Sequence, residues 1–140
     1  MKNNETVALD AIQVLIEDAE RTASFRWAQY YKEMGCGATS LELDDTKERI
    51  ALWNQVISLM RNLAKGVVPT LTPDTLFQIR NELSREVRHR KQMSNVYRKK
   101  MRFDAAKWTS EFNKFIEFRD RGVKMQELIE KYYSKQTLFG

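Results

Sequence analysis

Few side chains in this sequence can do covalent or metal chemistry: there is one histidine, His89, and one cysteine, Cys36, in 140 residues. A zinc site takes three or four nitrogen or sulfur ligands, which this inventory does not supply. Asp44 with Asp45, or Glu17 with Glu20, could be drawn as a carboxylate site for magnesium. The first pair reads more simply as a helix cap and the second as a solvated helix face. Nucleophilic catalysis needs a nucleophile, a base and an orienting group held together. Cys36 lies between Gly35 and Gly37 with no second histidine to serve it, and His89 lies among Arg88, Arg90 and Lys91 as one more surface residue. A class of small helical ribonucleases pairs an arginine with a histidine at a set spacing, but Arg85 and Arg88 stand too close to His89 for it. The glycines around Cys36 follow a helix pattern, whereas phosphate-cradling glycines follow a strand. These absences give the expectation of a non-enzymatic protein with no metal and no cofactor.

Recognition of an anion is the chemistry the residues do support. The net charge of +5 is unevenly spread along the chain. Residues 1–79 hold 8 Lys/Arg against 11 Asp/Glu, residues 80–102 hold 9 against 2, and residues 103–140 hold 7 against 6. Such a local excess points to an acidic partner more directly than a high isoelectric point does. On a helix, Arg80, Arg88, Lys91, Arg98, Lys99 and Arg102 share a face about a third of a turn from the apolar stripe of Leu76, Leu83, Val87 and Met101. Together with Arg85 they form the candidate nucleic-acid-binding set. Charges spaced this way can meet successive phosphates, and each neutralised phosphate releases counterions. Gln92, Ser94 and Asn95 add neutral donors between the cations. Tyr97 and Trp108 fall on the apolar stripe, leaving Phe103 as the off-stripe aromatic able to stack on a base. The connections between the first helices are too long for a helix-turn-helix, so base-specific reading is not expected.

Apolar periodicity sets out the elements that carry this face. Leu9, Ile12, Leu15, Ile16, Ala19, Ala23, Trp27, Tyr30 and Met34 predict one helix from Asn3 or Asn4 to about Met34, ended by Gly35 and Gly37. Its acids (Glu5, Asp10, Glu17, Asp18, Glu20) precede its bases (Arg21, Arg26, Lys32), as the helix dipole favours. Asp45 with Glu48 reads as the capping box of a second helix closing at Gly66, with Ile50, Trp53, Val56, Ile57, Met60, Leu63 and Ala64 inside, flanked by Leu52 and Leu59. Thr72 and Pro73 read as the N-cap and first residue of a third helix. That helix either runs unbroken to Arg121, about 70 Å at 1.5 Å per residue, or breaks near Ser94-Asn95 or at Asp104 and folds back. Gly122 reads as its end, and Val123, Leu128, Ile129, Tyr132 and Tyr133 as a short last helix.

The resulting expectation is all-α: a single domain over residues 1–140, a bundle of four to five helices with one long basic central helix, either folded back or extended into an oligomer. No run of eighteen apolar residues occurs and the first residues lack a secretion signal, so residence in the cytoplasm without a membrane partner is expected. Two function classes follow. The leading one is an accessory protein that holds DNA or RNA, or a nucleoprotein complex, on its basic face with little sequence preference. The alternative is an interaction, assembly or inhibitor protein that oligomerises through the long helix and docks on an acidic protein surface.

Overall fold

The computed structural model describes residues 4–134, and side chains from residue 11 onward. Glu5, Leu9, Asp10 and the start at Asn3 therefore lie outside the described side chains or residues. Four helices follow one another, α1 (Asn4–Gly35), α2 (Ser40–Ala64), α3 (Pro73–Met101) and α4 (Ala105–Tyr133), with no strand among the described residues. The chain divides into two compact units, Met1–Ile79 and Arg80–Gly140, and the division falls inside α3.

In the first unit α1 and α2 run antiparallel, as Glu33 accepting from the Thr46 hydroxyl at 2.8 Å and Glu20 pairing with Arg61 at 3.5 Å require. Both helices end in the same way. Gly37 at φ 73° lets Ala38 N–H reach the Glu33 carbonyl, and Gly66 at φ 78° lets Val67 N–H reach the Asn62 carbonyl. A left-handed residue at these positions is what closes orphan carbonyls at a helix C-terminus. Ile12, Leu15, Ile16, Ala19 and Ala23 of α1 and Ile50, Trp53, Val56, Ile57, Leu59, Met60 and Leu63 of α2 are buried, with Leu76 and Ile79 from the start of α3.

Two expectations for this unit are corrected. Helix α2 starts five residues before Asp45, because Thr39 accepts from Glu42 N–H at 3.2 Å and its hydroxyl also meets the Glu42 carboxylate. Thr39-Ser40-Leu41-Glu42 has the residue pattern of a capping box, with the Glu42 carboxylate taking the Thr39 hydroxyl, and an earlier cap with good helix formers behind it extends the helix to its first workable start. The apolar stripe of α1 also stops short, for Trp27 and Met34 are exposed. From Thr22 onward, Ala23 apart, the inward positions are polar: Thr22 donates to the Asp18 carbonyl, Arg26 to Gln29, and Gln29 to Glu33. The inward face thus follows residues 22, 26, 29 and 33, and Phe25, Trp27 and Tyr31 turn to solvent while Tyr30 is half-buried.

In the second unit α3 turns back into α4 across Arg102-Phe103-Asp104. The single helix reaching Arg121 is not formed: two 29-residue helices, each about 43 Å long, replace it. Asp104 is the cause, since its side chain accepts from Lys107 N–H at 3.1 Å and starts a new helix. Contacts run in opposite order along the pair: Arg80 with Glu130, Ser84 with Gln126, Arg90 with the Phe118 carbonyl, and Tyr97 with Trp108. Leu83, Met125, Ile129 and Tyr133 are its buried apolar side chains.

Gly122 does not end a helix, and the expected short last helix is the end of α4. A Cβ at this position would lie 2.8 Å from Val87 Cγ2 and 3.5 Å from an Arg90 guanidinium nitrogen. The glycine is there because the two helices cross closely, which the α4 backbone tolerates only without a side chain.

Gly122→Ala is expected to destabilise the protein by roughly 1–2 kcal/mol, overpacking against Val87 outweighing the gain in helix propensity of about 1 kcal/mol. Gly35→Ala, where a Cβ meets nothing within 4 Å, should be neutral or stabilising, and Val87→Ala should recover part of the Gly122→Ala loss in urea titrations. Thr39→Ala should cost about 1 kcal/mol in the same assay and Asp45→Ala only a few tenths, which separates the two possible starts of α2.

Candidate nucleic-acid interface

Helix α3 sorts its charge by direction. The two carboxylates of the basic segment, Glu82 and Glu86, are 2% and 7% exposed. They fall one turn apart, and Arg90 and Ser94 continue their row at the same four-residue spacing, 5% and 0% exposed. Arg90 and Ser94 therefore belong to the inward face. Arg90 donates to Glu86 at 3.1 Å and to the Phe118 carbonyl at 2.6 Å. Ser94 donates to the Lys91 carbonyl at 2.7 Å. A buried charge needs such partners, because removing one leaves the other desolvated and uncompensated at a cost of about 3–5 kcal/mol.

The opposite face of α3 is left with cations and neutral polar groups, and with Val96 as an exposed apolar side chain among them. Arg85, Arg88, His89, Lys91, Gln92, Asn95, Arg98 and Lys99 are all exposed, and Arg102 is exposed at the turn beyond. Among the described residues no carboxylate lies within ion-pair distance of Arg88, Lys91, Arg98, Lys99 or Arg102. Arg98 instead lies 5.8 Å from the centre of the Phe112 ring.

Arg80 and Arg85 differ from those five. Arg80 is partly covered, bonded to Glu130 at 2.7 Å and to the Tyr133 carbonyl at 2.9 Å, so it ties α3 to α4 and is not an unpaired cation of the outer face. Its number in the chain put it on the basic side of the helix, but Glu130 arrives there only because α4 folds back. Arg85 stands 4.0 Å from Glu82, a weaker contact that leaves its side chain 44% exposed.

The fold-back adds residues that lie outside the seven sequence candidates. Lys107 from the first turn of α4 and Lys100 from the last turn of α3 both stand over the Trp108 ring, at 5.0 and 4.4 Å. Tyr97 packs on Trp108 and stacks on Phe115, which is in turn edge-on to Phe118. This aromatic ladder is the seam between the helices. Aromatic rings attract ammonium and guanidinium groups by about 0.5–1 kcal/mol each at exposed sites, which holds the cations beside the seam. Lys100 was already visible in the charge count. Lys107 carried no sequence signal, for only the turn at Asp104 brings it next to α3.

Among the described residues no group of three His, Cys, Asp or Glu side chains could hold a metal ion, and no helix is long and apolar enough to cross a membrane. No protein-family model matches the chain, and neither a curated protein nor a solved structure matches it.

Tyr133, whose backbone carbonyl receives Arg80, also has a buried side chain. Burial raises its phenol above the ordinary tyrosine value. The folded state therefore keeps a proton that the unfolded chain releases first, so the stabilisation is full below about pH 10 and is lost as pH rises through the folded value. Urea midpoints should fall more steeply above pH 10 for the parent than for Tyr133→Phe, and parallel alkaline limbs would contradict this.

Proposed function

We propose that this protein is a non-enzymatic nucleic-acid-binding module that holds a phosphate backbone along the outer face of α3. Arg88, Lys91, Arg98, Lys99 and Arg102 are its contacts. The observation that carries the reading is the segregation of charge on one helix: both carboxylates of the segment are buried, while five exposed cations have no carboxylate partner among the described residues. Each cation displaces a condensed counterion when it meets a phosphate, so the favourable term is the entropy of ion release. Arginine suits this role through its planar fork, and Gln92 and Asn95 between the charges donate neutral hydrogen bonds to phosphate or sugar oxygens. Neither contact type reads base identity, hence binding with little sequence preference.

Assembly through a continuous third helix loses its element, since α3 ends at Met101 and α4 starts at Ala105. An acidic protein surface remains the other partner that the same cations would fit.

Titrating the full chain with a mixed-sequence duplex from low to high salt tests the proposal. Five phosphate contacts predict a slope of log K against log salt of about −4 to −5. A variant with Arg88, Lys91, Arg98 and Lys99 changed to Glu should bind at least about a hundredfold more weakly at low salt while keeping its helical circular dichroism. Absence of duplex and single-strand binding by the parent at low salt would overturn the reading and leave the acidic protein surface as the partner.

A further inference from the structure

The turn between α3 and α4 holds the most exposed large apolar side chain described, Phe103, at 91%. A single exposed phenyl ring is common on protein surfaces; what sets this one apart is the charge of its neighbours in the chain. The turn is fixed by its own backbone: Arg102 N–H bonds the Lys99 carbonyl at 3.2 Å, and Phe103 and Asp104 N–H both bond the Lys100 carbonyl, at 3.0 and 3.1 Å. Asp104 then caps α4 through Lys107 N–H. The residues that anchor the turn on either side are thus themselves cationic: Lys99, Lys100, Arg102 and Lys107. An outward ring on a turn whose chain neighbours are cationic offers the two things a single-stranded nucleic acid needs, an aromatic platform for a base and positive charge for its phosphates.

We infer that Phe103 is a stacking platform for an unpaired nucleobase, which makes single-stranded nucleic acid, or the junction where a duplex opens, the ligand class of this end of the hairpin. The inference rests on the nucleic-acid reading above and extends it. The ring takes the π-face of any base, while Lys99 in the last turn of α3 and Arg102 in the turn beyond it take the flanking phosphates. A paired base inside a duplex offers only its edge, so the outer face of α3 serves duplex and single strand alike, whereas the ring serves the single strand. A lipid surface is the less suitable occupant. Insertion into it needs a continuous apolar face, and beside Phe103 the exposed side of α3 presents one apolar residue, Val96, among Gln92, Asn95, Arg98 and Lys99.

Binding of a fluorescent single-stranded oligonucleotide carrying 2-aminopurine, and of a blunt duplex, should be compared for the full-length parent, Phe103→Ala, Phe103→Tyr and the double variant Lys99→Glu, Arg102→Glu. Phe103→Ala is expected to lose about tenfold in single-strand affinity and the 2-aminopurine quenching, with duplex affinity within about twofold of the parent. Phe103→Tyr, which keeps the ring, should retain both, and the charge variant should weaken both ligands. Equal single-strand affinity and quenching in the parent and Phe103→Ala would overturn the inference and leave the basic-face reading intact. Failure of the parent to bind either ligand would overturn both. Phe103-dependent binding to anionic vesicles, without quenching by the oligonucleotide, would instead assign the ring to a lipid surface.

Discussion

The ion pair of Arg90 with Glu86, and the hydrogen bond Arg90 makes to the Phe118 carbonyl, is the constraint on which the second unit turns. A guanidinium at 5% exposure is tolerable only when its donors are used, and here one goes to a carboxylate of its own helix and another to the backbone of the next. Phe118 lies one turn before Gly122, so a side chain at position 122 would crowd the route by which Arg90 arrives. The absence of a Cβ and the presence of the arginine are therefore one feature. Together they set the distance and register of α3 against α4, and Leu83, Met125 and Ile129 fill the apolar remainder.

This arrangement also decides the electrostatics of the outer surface. Had Glu82 and Glu86 stood among the cations of α3, each would have neutralised a neighbour at the four-residue spacing where side chains meet. Turned inward, they leave a helix face whose exposed residues are arginine, lysine, histidine, glutamine and asparagine, with Val96 the one exposed apolar side chain described between residues 80 and 101. The net charge of +5 understates this surface, because much of the acidic complement lies in the first 79 residues or inside the fold. Arg80 is the complement of that logic: a cation removed from the surface by Glu130, in a contact that fastens the ends of two helices.

The end of the hairpin combines the two principles. Tyr97, Trp108, Phe115 and Phe118 form the aromatic seam, and Lys100 and Lys107 sit over it. Aromatic and cationic side chains thus lie together at the turn from which Phe103 projects. Directional surface chemistry of this kind follows from short-range geometry, since a tight capped turn leaves its middle residue no neighbour to pack against.

Helix identity and most helix ends were readable from neighbouring residues alone. Thr72 with Pro73, Gly66, and Gly37 beyond Gly35 act through hydrogen bonds to groups within five residues, which is why their roles follow from local order. So were the all-α class and the basic face of α3, because a 3.6-residue period converts spacing into direction. Where two local solutions competed, Thr39 with Asp45 and Ser94-Asn95 with Asp104, the spacing of the apolar residues did not choose between them, and the caps that form are Thr39 and Asp104. The inward placement of Glu82, Glu86, Arg90 and Ser94, the close crossing at Gly122, and the capture of Arg80 by Glu130 had no local signature. Each depends on a residue from another turn or another helix, and burial of a polar group is favourable only once that distant partner has arrived.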